Sequence, residues 1–147
     1  GKRYSEVVLR VISDKYFKLR SMPVEPVRNK LEYIHNALSD CDIGIAPMRE
    51  GKLARMQCGH NIRQMYAGGL PIIASPVGEN GDMVVHEING LLAQNTDQWI
   101  NCLSLLIENL GIGTQYGTAG REMVKQTFDT GIIAEQLIEV LKEFEKK

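Results

Sequence analysis

With 147 residues, of which 44% are hydrophobic and 24% charged, the chain carries enough apolar side chain to bury a core, which excludes disorder as its main description. Its 17 Lys and Arg nearly balance 18 Asp and Glu, so no bulk electrostatic attraction draws it to nucleic acid or to an anionic membrane, and an anion must be bound locally. No apolar run has the length of a bilayer span and no signal peptide is recognisable, which implies a soluble chain. Cys41, Cys58 and Cys102 are odd in number and fit no paired metal-ligand spacing, which implies reduced thiols and a cytoplasmic setting. The chain starts at Gly1 without an initiator Met, so a domain excised from a longer protein is the expectation.

Residues 6–12 (EVVLRVI) are β-branched and aliphatic and predict a strand buried on both faces. A weaker strand follows at 24–27, where Pro23 and Pro26 confine it to an edge. Leu31, Ile34, Ala37 and Leu38 recur at helical spacing after Asn29, a residue suited to an N-cap, and predict a helix over 30–39. The run DIGIAP at 42–47 predicts a buried strand stopped by Pro47. A basic irregular stretch, REGKLARMQC, leads into a helix over 59–67 that ends at Gly68-Gly69.

Next come a strand at 70–75 (LPIIAS), a turn-rich loop PVGENG, a helical turn at 82–86 and a small strand at 91–93. From Thr96, taken as a cap, a helix runs to about Asn109, and Gly111 and Gly113 are expected to break it before helices at 114–127 and 129–145. The last carries Ile132, Ile133, Leu137, Val140, Leu141 and Phe144 as an apolar stripe. Strands alternating with helices predict an α/β fold, a Rossmann-like doubly wound parallel sheet with helices on both faces and a helical carboxyl-terminal tail, forming one domain over 1–147. In such a sheet ligands bind beyond the carboxyl ends of the strands, which selects the loop after Pro47 and the loop after Ser75.

Those loops hold the chemistry. The free N–H groups of a helix starting at Gly59-His60-Asn61 offer partial positive charge to a diphosphate, and Gly59 lets backbone approach it. Lys52, Arg55 and Arg63 are the nearby cations. Gly78, Glu79 and Asn80 offer backbone donors, a carboxylate and an amide to a sugar or phosphate. No Asp-x-Asp sequence or carboxylate cluster calls for a metal, and the expectation is no cofactor. No Gly-x-Gly-x-x-Gly follows the first strand, which argues against a dinucleotide-binding unit.

The stretch from DIGIAP through GHNIRQMYAGGLPIIASPVGEN to NGLLAQN, with Gly120-Arg121 and Phe128 further on, resembles the carboxyl-terminal domain of GT-B glycosyltransferases, the retaining, "glycosyl transferases group 1" type that assembles capsule, O-antigen and other polysaccharides. The resemblance implies a donor-binding half that grips a nucleotide-diphosphate sugar, with Lys52, Arg55, Gly59, His60, Asn61, Gln64, Gly78, Glu79 and Asn80 as donor-binding residues. It further implies an amino-terminal domain that holds a glycan or lipid-linked acceptor, and a cytoplasmic enzyme peripheral at the inner face of the membrane. No catalytic residue is assigned to this half, and the isolated domain is expected to be inactive.

Members of that family usually carry two glutamates, which match Met56 and Gln64 here. Gln64 retains a hydrogen-bonding amide, whereas Met56 cannot replace a carboxylate. A Gly-Lys-Cys-Gly form of the loop, with Gln at the helix position, would match Gly51-Lys52 and Cys58-Gly59 in stretched form. The alternative is a non-catalytic, degenerate module of the same fold that serves nucleotide binding or assembly.

Overall fold

The computed structural model describes residues 3–15, 17–56 and 58–145, and it packs as two compact units, Gly1–Asp42 and Ile43–Lys147. In the first, β1 (Leu9–Ile12) pairs in parallel with β2 (Val24–Val27), Leu9 opposite Val24 and Val11 opposite Pro26. A proline inside β2 is tolerated because the strand has a neighbour on one side alone. The predicted strand at 6–12 is shorter than expected and half-buried along its length, because Arg10 stands in its middle. Its guanidinium pairs with Glu25 at 2.8 Å and donates to the Ala37 carbonyl at 2.8 Å, and the Glu25 hydrogen bond raises its pKa further. That second bond ties β1 to α1 (Leu31–Ser39). Asn29 does not cap α1: the N-cap is Lys30, with no side-chain bond.

In the second unit, β3 (Gly44–Ala46), β4 (Ile72–Ala74) and β5 (Gly90–Leu92) form a parallel sheet in that order. Gly44, Ile72 and Gly90 align across it, as do Ile45, Ile73 and Leu91. Since successive side chains point to opposite faces, these two rows define the two faces. Met65 and Tyr66 of α3 (His60–Ala67) lie against the first row. The second row packs, through Ile73 and Leu91, on Leu106, Trp99 and Leu103 of α5 (Thr96–Glu108). Helices therefore cover both faces, as the sequence pattern predicts. The helix after Cys58 also ends where expected: Gly69 takes a left-handed φ of 78°, and its N–H donates to the Tyr66 carbonyl.

Four features differ from expectation, and for the last three a side chain gives the reason. Within the irregular basic stretch, α2 (Lys52–Arg55) forms one short helical turn. The turn of helix placed at 82–86 is α4 (Glu79–Met83). It stops early because Asn89 captures the next backbone groups, donating to the Met83 carbonyl at 3.0 Å and accepting from Val85 N–H at 2.8 Å. The cap of α5 is Asn95, not Thr96: Asn95 Oδ1 accepts from Gln98 N–H at 3.0 Å, and the Gln98 side chain accepts from Gln94 N–H at 2.7 Å.

The break expected at Gly111 and Gly113 falls at Asn109, whose amide donates back to the Leu105 carbonyl. The two glycines lie inside α6 (Leu110–Phe128), which runs on without a stop. Packing requires glycine further along the same helix, at Gly117 and Gly120. A methyl built on Gly117 would sit on the Gly69 carbonyl oxygen, and one on Gly120 would enter the Tyr66 ring. The final helix, α7 (Thr130–Glu145), leaves most of its predicted apolar stripe, from Ile133 to Phe144, exposed. No helix among the described residues is long and apolar enough to cross a membrane.

Candidate functional site

Parallel strands present their carboxyl ends on one edge of the sheet, and a cleft of about 1070 Å³ opens there. Met48, Arg49 and Glu50 follow β3, Ser75 to Glu79 follow β4, and Gln94 follows β5. Met56, Cys58 and Asp82 complete the lining. Ser75 joins the first two segments: its buried hydroxyl accepts from Met48 N–H at 3.0 Å, and its own N–H donates to the Ala46 carbonyl at 3.2 Å. The floor is thus held at the strand ends by one backbone bond and one bond to the Ser75 hydroxyl.

Of the residues singled out from sequence, Gly78 and Glu79 line this cleft. Gly78 is the N-cap of α4, with a φ of 56° and ψ of -145° that suit glycine alone. Gly59 is the N-cap of α3, also left-handed at φ 52°, and a methyl on it would stand 2.7 Å from Met83 Sδ. Gly59, having no side chain, makes no cap bond to the N–H groups of α3. His60 and Asn61 are exposed in its first turn and Gln64 is half-buried one turn on. Lys52 is exposed at the start of α2, and the side chain of Arg55 lies outside the described residues. Asn80 is buried, 4% exposed, with an Nδ2 that has no hydrogen-bond partner among the described residues.

Arg63 is engaged within the fold. Its Nη2 donates to the Cys58 carbonyl and to Glu79 Oε1, the latter at 2.6 Å, and its guanidinium carbon lies 4.4 Å from the centroid of the Phe128 ring. Sequence reasoning missed Arg49, Glu50, Ser75, Asp82 and Gln94. Their common signal is a position just past a strand or on the helix beside it, which becomes usable only when strand ends are known to within a residue. Met56 stands in the cleft with 80% of its surface exposed.

Burial raises the pKa of the Cys41 and Cys102 thiols, and of the Tyr66 phenol most of all. Tyr66 is fully buried at the foot of α3, where its hydroxyl donates to Asn89 Oδ1 at 3.1 Å. Cys58 is exposed at the cleft. Among the described residues no three His, Cys, Asp or Glu side chains group closely enough to hold a metal ion.

The family "Glycosyl transferases group 1" matches residues 9–109, more than half of the chain. The chain belongs to that family. No curated protein sequence matches this glycosyl transferases group 1 chain significantly, but solved structures do. Anabaena HepE, crystallised with UDP-glucose, is similar at a TM-score of 0.64 and 22% identity, over 82% of this chain and 32% of that one. Sucrose-phosphate synthase from Thermosynechococcus elongatus is similar at a TM-score of 0.68 and 24% identity, over 84% and 30%. The carboxyl-terminal domain of the Francisella tularensis protein LpcC is similar at 0.55 and 16%, over 73% and 54%. At these identities the likeness establishes a shared GT-B fold, and the chain spans about a third of the length of the first two.

Proposed function

We propose that this chain is the donor-binding domain of a glycosyltransferase that moves a sugar, of the hexosyl type, from a nucleotide diphosphate to a glycan or lipid-linked acceptor with retention of configuration. The observation that carries the proposal is the cleft at the carboxyl ends of β3, β4 and β5 in a member of this family. HepE, of similar fold, was crystallised with UDP-glucose, which supports a nucleotide sugar as the ligand. In this reading the N–H groups at the start of α3, with Lys52, Arg55 and Arg49, neutralise the diphosphate as its bond to the anomeric carbon breaks. Gly78, Glu79, Asn80 and Gln64 orient the sugar and ribose, and His60 and Asn61 border the phosphates. The acceptor is held by an amino-terminal domain in a cytoplasmic enzyme of polysaccharide assembly, peripheral at the membrane, and residues 1–147 are one domain that is inactive alone.

The test is a thermal-shift titration of the chain with UDP, GDP, dTDP and ADP. A ligand at a hundredfold its Kd stabilises the folded state by about 2.7 kcal/mol, so one diphosphate raises Tm by several degrees and the rise diminishes in Arg49→Gln. Absence of any shift at millimolar nucleotide overturns the reading. It would favour the second one, a degenerate module, to which Met56 points by placing a thioether in the cleft at the position that matches a family carboxylate.

A further inference from the structure

Arg63 sits where four segments meet. It projects from α3, bonds the Cys58 carbonyl before that helix and Glu79 at the start of α4, and lies over the ring of Phe128 at the end of α6. Side chains of the ion pair are 27% and 31% exposed, and Arg63 Nε is buried without a hydrogen-bond partner among the described residues. Two of the three groups it holds, Cys58 and Glu79, line the cleft, whereas Arg63 itself does not. Both hydrogen bonds are made through Nη2, and a guanidinium paired with a carboxylate at 2.6 Å and lying over a ring is fixed in orientation with its charge offset by that carboxylate.

We infer that Arg63 is a positioning residue, bridging the Cys58 carbonyl and the Glu79 carboxylate across Phe128 so that Glu79 stands as a fixed acceptor for a hydroxyl of the bound sugar. The chemistry selects that part of the ligand: a carboxylate accepts from a sugar hydroxyl and repels a diphosphate. The inference rests on the donor reading above, and it gives Arg63, one of the cations noted near the loop, a role other than binding the diphosphate. Ion pairing also leaves Glu79 less repulsive to a diphosphate bound nearby.

UDP and UDP-glucose are the probes, titrated against the wild-type chain and the variants Arg63→Gln, Arg63→Lys, Glu79→Gln, Phe128→Leu and the double Arg63→Gln/Glu79→Gln, with Tm recorded for each. Loss of a hydrogen bond to a charged acceptor corresponds to about tenfold in affinity. Arg63→Gln and Glu79→Gln should therefore each weaken UDP-glucose about tenfold while changing UDP little. The double variant should be no weaker than either single one, Phe128→Leu should fall between, and Arg63→Lys should recover part of the loss.

Tighter UDP binding by Glu79→Gln would overturn the inference, since it would mean that Glu79 had been competing with phosphate for Arg63. A lower Tm with an unchanged ratio of the two affinities would overturn it as well, leaving a purely structural ion pair. If the wild-type chain binds neither probe, the donor reading falls, and the bridge is judged by alkylation of Cys58 with N-ethylmaleimide. Faster labelling in both Arg63→Gln and Glu79→Gln then supports it, and unchanged labelling overturns it.

Discussion

Two helices pack in the second unit by opposite means. Where α6 meets α3, the contact is made by what is missing: Gly117 lies on the Gly69 carbonyl and Gly120 on the Tyr66 ring, with no side chain between. Where α5 meets the sheet, the contact is made by bulk, with Leu106 buried among Ile73, Leu91 and Ala93 and flanked by Trp99 and Leu103. The first contact should be intolerant of added atoms and the second of removed ones, because interiors are packed to near-crystalline density. The functional consequence lies with the first. Through Tyr66, Asn89 and Met83, the α3–α6 contact supports both α3 and α4, the two helices whose starts border the cleft.

The largest effect is expected from breaking the first contact. Gly117→Ala and Gly120→Ala each force backbone or a buried ring to move, and should cost about 3 kcal/mol or more, in the upper range for overpacking. Urea unfolding would register this as a lower midpoint, and an unfolding free energy within about 0.5 kcal/mol of wild type would refute the packing argument. Next comes Leu106→Ala on the other side, expected at about 3 kcal/mol with an unchanged m-value. Leu106→Met, which conserves volume, should cost less than about 1.5 kcal/mol.

Tyr66→Phe sharpens the comparison by keeping the ring and removing the hydroxyl. It should cost about 1 kcal/mol near neutral pH, since Asn89 Oδ1 retains Val85 N–H as a donor. The pH dependence has a definite sign. Burial raises the folded-state pKa of Tyr66, so the folded chain retains a proton that the unfolded chain releases above about pH 10. Its stabilisation is complete below that pH and declines above it, and the gap between wild type and Tyr66→Phe should narrow between urea melts at pH 8 and pH 11. A gap that widens would mean the phenol is more acidic in the fold. The smallest effect, and of opposite sign, belongs to Gly111→Ala. Outside its own turn of helix, no atom of the described residues stands within 4 Å of a methyl there, so the intrinsic helix preference for alanine should stabilise the chain by about 0.5 to 1 kcal/mol.

These glycines also show where sequence reading reached its limit. Gly68-Gly69 was legible as a helix stop because the signal is local: a left-handed residue ends the hydrogen-bond ladder within its own turn. Gly111 and Gly113 look the same in sequence, yet they lie inside a helix whose later turns pack on residues distant in the chain: Gly113 faces Pro71, and Gly117 and Gly120 meet Gly69 and Tyr66. The caps divide in the same way. Asn95 won over Thr96 through a bond to Gln98 three residues on, whereas α1 starts one residue past Asn29's reach, with Lys30 at the N-cap and no side-chain cap bond from it.

For the site, the sequence by itself determined the α/β class, the parallel alternation and the two loops that border the cleft, because hydrophobic period, proline and turn glycines act over a few residues. It also carried enough of the family's order and spacing to be placed among the glycosyl transferases group 1. The tertiary structure alone decided which charges remain available. Arg63 and Glu79 lie sixteen residues apart and read as a nearby cation and a separate donor-binding carboxylate, but folding brings them to 2.6 Å and adds Phe128 from the far end of α6. A charge's role depends on the partner that reaches it first, and that partner is chosen by chain crossings that no local pattern encodes.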